Sequence, residues 1–363
     1  MVSLKQDALT EKILAGERIT AEDAMALYAL PLEELGALAN SRRDLAKAAR
    51  YGNHGREIVT YIIDRNINYT NVCNVYCKFC AFYRTEKDAD HYVLSFEELD
   101  KKLDELSAVG GVQILMQGGH HPKLNFDWYV NWLRHIHEKY PHINIHGFSP
   151  PEFQHFAEVF GMPLREVIAS FKEAGLGSIP GGGGEILVDR VRKRISPLKC
   201  DSDAWLEVMQ IAHELGLKSS ATMMFGHVET VAERIEHLQR IRAQQDKSGG
   251  FTAFICWTFQ PENAALKVKR KTGVAEYLRM QAIARIYLDN IENIQSSWVT
   301  QGPAIGQVAL KFGANDFGSV MMEENVVSSA GTTFRLNAPQ IEDLIREAGY
   351  EPRRRNNWYE LLN

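Results

Sequence analysis

Short apolar runs alternate with longer amphipathic ones through most of the chain. The short runs at 58–69, 112–116, 143–148, 176–179, 218–225, 251–259, 294–299 and 307–312 read as strands. Between them, apolar residues recur at helical spacing over 96–109, 126–140, 163–174, 202–215, 230–245 and 274–290. Ser95-Phe96-Glu97-Glu98 and Thr230-Val231-Ala232-Glu233 open two of these helices as capping boxes, in which hydroxyl and carboxylate satisfy each other's backbone amides. Gly110-Gly111, Gly175 and Gly216 fall where helices end. Strands separated by helices predict parallel βαβ units. Eight evenly spaced units favour closure into an α/β fold of the (β/α)8 TIM type over a doubly wound sheet. Residues 1–50 form a helical extension, with Leu9, Ile13 and Leu14 at helical spacing and a capping box at Thr20-Ala21-Glu22-Asp23. The barrel is assigned to residues 51–337, and 338–363 form a segment capping one end.

The 363 residues are ordinary in composition for a soluble globular protein: 45% hydrophobic and 24% charged. A net charge of −5 argues against nucleic acid as a partner. The basic runs at 267–271 and 353–355 read as solvated faces or helix ends. The N-terminus carries no signal-peptide pattern and no run of 18 apolar residues exists, so neither secretion nor a membrane is expected. Five cysteines, three of them clustered, do not make a disulfide framework and fit a reducing, cytoplasmic compartment.

Those three cysteines carry the chemistry. Cys73, Cys77 and Cys80 stand in C-x3-C-x2-C spacing directly after the first strand. Barrel active sites lie at the C-terminal ends of strands, so the first strand delivers the thiols where a site belongs. Structural zinc takes four ligands, and here no His stands at finger spacing. A cubane iron–sulfur cluster held by three cysteines leaves one iron open to a small molecule. Zinc with a remote fourth ligand, or three unrelated buried cysteines, are the other readings. The spacing, with Phe79 just before the last cysteine, resembles the radical S-adenosylmethionine (SAM) superfamily.

The other strand ends supply polar and glycine-rich stretches. The second ends in Gln117-Gly118-Gly119-His120-His121-Pro122, and the third in His146-Gly147-Phe148-Ser149-Pro150-Pro151-Glu152, read as a Pro-Pro corner. The fourth ends in Gly181-Gly182-Gly183-Gly184-Glu185, followed by Arg192. Four glycines allow close backbone approach to a ligand; a phosphate loop is the rival, but no Gly-Lys-Ser/Thr follows. The fifth ends near His227 and Glu229, the seventh near Trp298, and Asn315-Asp316 follows the last. Aromatic and neutral polar groups together suit a partly apolar, ring-containing ligand with several hydroxyls.

Together these stretches resemble the dehypoxanthine futalosine cyclase family of the futalosine route to menaquinone, whose relatives are the aminofutalosine synthases and deazaflavin (FO) synthase subunits. The resemblance implies a [4Fe-4S] cluster on Cys73, Cys77 and Cys80, and SAM against Phe79, Gly118, Gly119, Ser149, Glu185 and Arg192. Gly118-Gly119 matches the glycines of the superfamily's Gly-Gly-Glu-like motif, with His120 where the acidic residue would stand. Glu185 suits ribose hydroxyls and Arg192 the SAM carboxylate. His120, His146, Trp298 and Asn315 are expected on a nucleoside-like substrate. His227 and Asp316 are expected to move the proton, because imidazole titrates near neutrality without help. The implied reaction is hydrogen abstraction at ribose C4′ and ring closure onto a benzoate. Reduced flavodoxin or ferredoxin is the implied electron donor. An FO-synthase-type or aminofutalosine-synthase-type addition enzyme is one alternative. A non-enzymatic zinc-binding protein is the other.

Overall fold

A computed structural model describes residues 2–331 and 334–362. Three helices come first: α1 (Val2–Leu14), α2 (Ala21–Ala26) and α3 (Leu32–Lys47). The barrel begins with β1 (Ile58–Ile62) and β2 (Asp64–Ile67). There follow α4 (Phe96–Ala108), β3 (Gln113–Met116), α5 (Phe126–Lys139), β4 (Asn144–Gly147), α6 (Pro150–Phe160), α7 (Leu164–Glu173) and β5 (Leu176–Ile179). The next elements are α8 (Asp189–Ile195), α9 (Ser202–Glu214), β6 (Lys218–Phe225), α10 (Val231–Ser248), β7 (Phe251–Thr258), α11 (Val274–Tyr287) and β8 (Asn293–Gln295). The chain ends through α12 (Trp298–Gln301), α13 (Pro303–Ala309), β9 (Asp316–Ser319), α14 (Ala338–Glu347) and β10 (Glu351–Arg354).

All pairings are parallel, and the sheet runs β10-β1-β9-β8-β7-β6-β5-β4-β3-β2. Its two ends are joined by the chain itself. β1 pairs with β9 and β10, β2 pairs with β3, and only Ile63 separates the two strands. One bent run, 58–67, therefore closes a ring of eight strand positions, the (β/α)8 barrel expected from the alternation. β10 lies beyond the ring, beside the first half of that run.

Several boundaries differ from the sequence reading. The expected strand 58–69 is β1 plus β2 and ends at Ile67. The expected strand 294–299 stops at Gln295, and Trp298 begins a short helix. The expected last strand, 307–312, falls on α13 and the turn after it; the strand is Asp316–Ser319. That apolar run is short and packs against neighbours on one side only, where periodicity cannot separate strand from helix. The Pro-Pro corner is a helix start: Ser149 caps α6, with Pro150 and Pro151 in its first turn, where a missing N–H costs nothing.

The N-terminal helices close the barrel's lower end. Arg43 and Lys47 of α3 are buried there. Arg43 donates to the carbonyls of Ala314, Arg56 and Ile58, and Lys47 to Glu292 and Asn293. Burial pulls the Lys47 ammonium down to about 8. Outside the ring, Tyr69, Tyr129, Phe148, Phe153, Phe156 and Phe171 pack edge-to-face and tilted where α5, α6 and α7 meet the strands. Among the described residues no helix is long and apolar enough to cross a membrane.

Phe156 is 1% exposed at the centre of that aromatic group. Phe156→Ala is expected to cost about 3–5 kcal/mol, the usual loss for a core Phe. A urea titration followed by circular dichroism measures it, and a midpoint equal to wild type would remove the aromatic group from the barrel's support.

Candidate active site

The loop after β2 carries the cysteines over the upper, C-terminal end of the ring. Cys73, Cys77 and Cys80 are all free and line one cavity. The loop is strapped at several points. Cys73 N–H donates to the Arg84 carbonyl, Asn74 N–H to His120, and Lys78 N–H to Ile195, while the Lys78 carbonyl accepts from Leu266. Gly119 lies under the loop; a Cβ there would stand 2.1 Å from the Val72 carbonyl oxygen and 2.9 Å from Cβ of Cys73. A Cβ on Gly118 would meet the Tyr69 ring at 2.5 Å. The two glycines are thus required by close packing.

Burial pushes the Cys77 thiol up to about 12 and raises that of Cys73 too. Bare thiolates are costly at this place, and a bound metal offsets that cost by deprotonating its thiol ligands outright. Three convergent thiols with no disulfide fit an iron–sulfur cluster on that ground. Among the described residues no group of His, Cys, Asp or Glu is arranged to hold a single metal ion.

The cavity beside the cysteines, about 270 Å³, is also lined by Phe79, Gly118, Gly119, His120, Ser149 and Glu185. Glu152, which the sequence reading passed over, organises it. Its buried carboxylate accepts from Gly118 N–H (3.0 Å), Tyr69 Oη (2.8 Å), Ser149 N–H (2.7 Å) and Ser149 Oγ (2.6 Å). The acidic group missing after Gly118-Gly119 in sequence is therefore supplied in space by the first turn of α6. Glu185 has a left-handed backbone (φ 30°) and pairs with Lys199 at 3.1 Å, whose ammonium also lies over the Phe79 ring. Glu185 Oε2 and Gln260 Oε1 are buried on the cavity wall without a hydrogen-bond partner. Two unmatched acceptors suit a ligand bearing hydroxyl or amino donors. Arg192 is not on that wall. It donates to the carbonyls of Cys200, Gly183 and Gly184 and so fixes the tetraglycine turn.

A second cavity, about 290 Å³, occupies the bore below. Alternate strand residues point into it: Ile62, Asp64 and Asn66 from the first run, Gln113, Leu115 and Gln117 from β3 and its end, and Ser220 and Thr222 from β6. His146 and Trp298 line it as expected. His146 Nδ1 is 2.7 Å from Ser178 Oγ, and burial lowers the ring to about 3, so it stays neutral. Trp298 Nε1 donates to the Ser319 carbonyl. His120 is in the upper cavity instead, its ring tilted against that of His155 at 4.9 Å, and burial pulls its pKa well down. The chain's C-terminal tail makes the floor with Arg355, Asn357 and Tyr359.

The remaining expected residues lie outside both cavities. His227 is held between Glu229 (3.0 Å) and the Met224 carbonyl, its side chain fully buried. Asp316 is paired with Arg355 at 2.5 and 2.8 Å and accepts from Thr60 Oγ1. Asn315 is spent on Arg285, Asn293 and Ile294 N–H. Two carboxylates line the lower cavity: Glu324, whose oxygens accept from the Val326, Val327 and Ser328 N–H groups, and Asp64, which accepts from Ser319 Oγ and from Gln113 Nε2 at 3.2 Å. Burial raises its pKa above the ordinary carboxylate value. The signal for it was in the sequence: polar Asp64, Asn66 and Asn68 recur every second residue of an apolar strand, as lumen-facing positions do.

The two cavities share Gln117, Gly182, Trp257, Thr300, Val326 and Val327. The two cavities therefore abut along these residues.

The radical SAM superfamily model matches residues 67–241, and the CofH/MqnC C-terminal region matches 248–363. The chain is 46% identical to the cyclic dehypoxanthine futalosine synthase of Halalkalibacterium halodurans, over 98% of this chain and 95% of the relative. It is 47% identical to the Streptomyces coelicolor protein of the same name, over 98% and 88%. A 5-amino-6-(D-ribitylamino)uracil–L-tyrosine 4-hydroxyphenyl transferase of Methanopyrus kandleri is 39% identical over 84% of each chain. Among solved structures, methylornithine synthase superposes with a TM-score of 0.74 at 17% identity, covering 95% of this chain and 97% of that one.

The cysteine assignment is checked by single Ala variants. Replacing Cys73, Cys77 or Cys80 is expected to abolish the iron–sulfur absorbance and SAM cleavage, whereas Cys200→Ala and Cys256→Ala keep both. Retained iron and cleavage in Cys77→Ala would overturn it.

Proposed function

The chain belongs to the radical SAM superfamily, and we propose that it is a cyclic dehypoxanthine futalosine synthase working in menaquinone biosynthesis. The observation that carries this reading is that the cysteine-lined cavity shares six wall residues with a second cavity inside the ring, floored by Arg355, Asn357 and Tyr359. The 46–47% identity with two synthases of that name supports it.

Cys73, Cys77 and Cys80 hold the cluster, and SAM lies against Phe79, Gly118, Gly119, Ser149 and Glu185. When bound and reduced by one electron, this pair of cofactors supplies a 5′-deoxyadenosyl radical that takes hydrogen from C4′ of the substrate ribose. The rest is the work of the chain. The lower cavity orients ribose through its amides and hydroxyls, with His146 as a neutral acceptor and Trp298 beside the benzoate ring. Holding C4′ against the arene replaces a bimolecular encounter with an intramolecular one, and the closed floor keeps water away. The cyclised radical must lose an electron, which the oxidised cluster held by the three cysteines would take back, and a proton. His227 and Asp316 do not face the cavity, and Glu324, which does, is spent on three backbone amides, so Asp64 takes the proton. A carboxylate of raised pKa suits that task. Arg192 acts on SAM indirectly, through the glycine turn it holds and its ion pair with Glu185 at 3.7 Å. The electron donor is a reduced flavodoxin or ferredoxin, and the compartment is the cytoplasm.

Anaerobic turnover with SAM, dithionite and dehypoxanthine futalosine tests the reading. The expected products are 5′-deoxyadenosine and a nucleoside-derived compound lighter by two hydrogen atoms. Turnover of tyrosine with the ribitylaminouracil instead would move the chain to the transferase group.

Two variants refine it. Glu185→Ala removes a buried acceptor and is expected to weaken SAM binding by roughly 1.5–3 kcal/mol, the worth of a hydrogen bond to a charged group, read by equilibrium dialysis. Asp64→Asn is expected to keep 5′-deoxyadenosine formation but lose most cyclised product. In wild type, cyclisation should fall as pH drops through the raised Asp64 pKa, and that limb should vanish in the variant. Stability moves the other way. A carboxyl whose pKa is higher folded than unfolded binds more protons when folded, so stability declines as pH rises through the interval between the two values. Asp64→Asn should therefore raise the melting temperature at neutral pH. Unchanged product yield would remove Asp64 from the proton step.

A further inference from the structure

The outer face of the cysteine loop carries charge that the proposed chemistry does not use. Asn74, Tyr76 and Lys78 alternate outward while Cys73, Val75 and Cys77 turn in. Tyr76 is held at φ 52° and is 48% exposed. Backbone hydrogen bonds fasten Lys78 to two other segments: its N–H to the Ile195 carbonyl at 2.9 Å, its carbonyl to Leu266 N–H at 2.6 Å. Each of those segments carries exposed cations beside the junction. Lys193 and Arg194 end α8, and Lys267, Lys269, Arg270 and Lys271 follow Leu266. Lys271 pairs with Glu262, and the Lys267 ammonium donates to the Ala264 carbonyl. Lys78, Lys193, Arg194, Lys269 and Arg270 form no ion pair among the described residues. Leu198, just past α8, is 63% exposed, more than any other large hydrophobic residue among the described ones.

A chain of net charge −5 thus places unpaired cations on the two segments hydrogen-bonded to the loop that holds Cys77, with Tyr76 exposed on that loop and Leu198 exposed just past one of them. We propose that this face docks an acidic one-electron carrier protein, which passes its electron inward beside Tyr76 and Cys77 to the cluster. The proposal rests on the cluster assignment above. One electron leaves the carrier's low-potential centre and the cluster gains it, with no bond made or broken. Charge complementarity selects the partner's sign. Unpaired surface cations steer an acidic protein over a Debye length of about 10 Å at 0.1 M salt. The two exposed apolar side chains give the short-lived contact its dry centre, as small redox interfaces require. None of these residues lines either cavity, so the face is separable from the chemistry within.

The test uses the reconstituted holoenzyme and a photoreduced bacterial flavodoxin as the acidic probe. The variant carries Lys193→Glu, Arg194→Glu, Lys269→Glu and Arg270→Glu; a second carries Leu198→Ser. Four quantities are measured: flavodoxin affinity by calorimetry, binding of the polyanion heparin, cluster reduction by electron paramagnetic resonance, and 5′-deoxyadenosine formation. With dithionite both variants should match wild type. With flavodoxin, the charge variant should bind and be reduced about tenfold more weakly, as loss of steering predicts. Its residual rate should depend less on salt than that of wild type. Leu198→Ser should weaken binding while keeping the wild-type salt dependence. Wild-type flavodoxin affinity and reduction rate in the charge variant would overturn the proposal. So would equal losses with dithionite, which place the cations in support of the cluster. Loss of polyanion binding alone, with flavodoxin kinetics intact, would assign the face to nucleic acid instead. Cluster reduction needs no substrate, so failure of the cyclase reading would show as absent cyclised product while this test still reads.

Discussion

The structure depends on one run of backbone, 58–67, that changes partners in its middle. The Ile62 carbonyl accepts from Val320 and the Ile63 carbonyl from Val112, so adjacent residues hydrogen-bond to opposite sides of the ring. The bend at Ile63 makes closure possible and leaves the first half of the run beside β10. Period-two geometry then fixes what each residue does. Val59, Tyr61, Ile63 and Ile67 belong to the packed apolar core, while Ile62, Asp64 and Asn66 face the bore. The same run ends at the cysteine loop. Closure, the lumen carboxylate and the position of the thiols follow from one segment's register.

The interior that results is polar but carries little free charge. Burial holds His146 and His120 neutral and raises Asp64, Glu152 and the thiols of Cys73 and Cys77. The nearby cations are spent: Arg192 on carbonyls, Arg285 on carbonyls and Asn315, Arg355 on Asp316. What remains open is a set of acceptors, Asn66 Oδ1, Glu185 Oε2 and Gln260 Oε1. Each unmade hydrogen bond costs the folded chain about 1–3 kcal/mol. A hydroxyl-bearing ligand relieves that cost on entry, so part of its affinity is stored in the unliganded walls.

What could be read from the sequence was whatever is local. Helix periods, capping boxes, C-cap glycines and cysteine spacing are set within a few residues, and the elements they predict stand in the structure. What failed depends on distant packing. The run 307–312 resembles a strand because its length is ambiguous, and only the ring shows that Asp316–Ser319 fills the eighth place. Arg192 looked like a ligand-binding cation, but the glycine carbonyls that consume it are placed by a fold that sequence spacing does not give. Glu152 carries no motif of its own; it matters because α6 aims it at Gly118. His227 stands at a strand end, as site residues do, yet Glu229 and a carbonyl draw its ring into the wall.

Both family matches contribute to both cavities, but with different weight. Residues 67–241 supply the cysteines, Gly118, Gly119, Ser149, Glu185 and Lys199 of the upper cavity. Residues 248–363 supply Trp298 and Glu324 of the lower wall and the floor at Arg355, Asn357 and Tyr359. The passage between them is built from both, with Gln117 and Gly182 facing Trp257, Thr300, Val326 and Val327. Such a division lets the floor and one wall change while the radical source stays in place. It accounts for relatives of different named activity sharing 39% of their residues with this chain across most of its length. Selection among substrates then rests on the C-terminal tail as much as on the strands. The tail is held by the Arg355–Asp316 pair, and Asn357 reaches across the bore to Ser178, which also holds His146. A change in the tail therefore alters the floor and the orientation of His146 together, which couples the depth of the cavity to its hydrogen-bonding pattern.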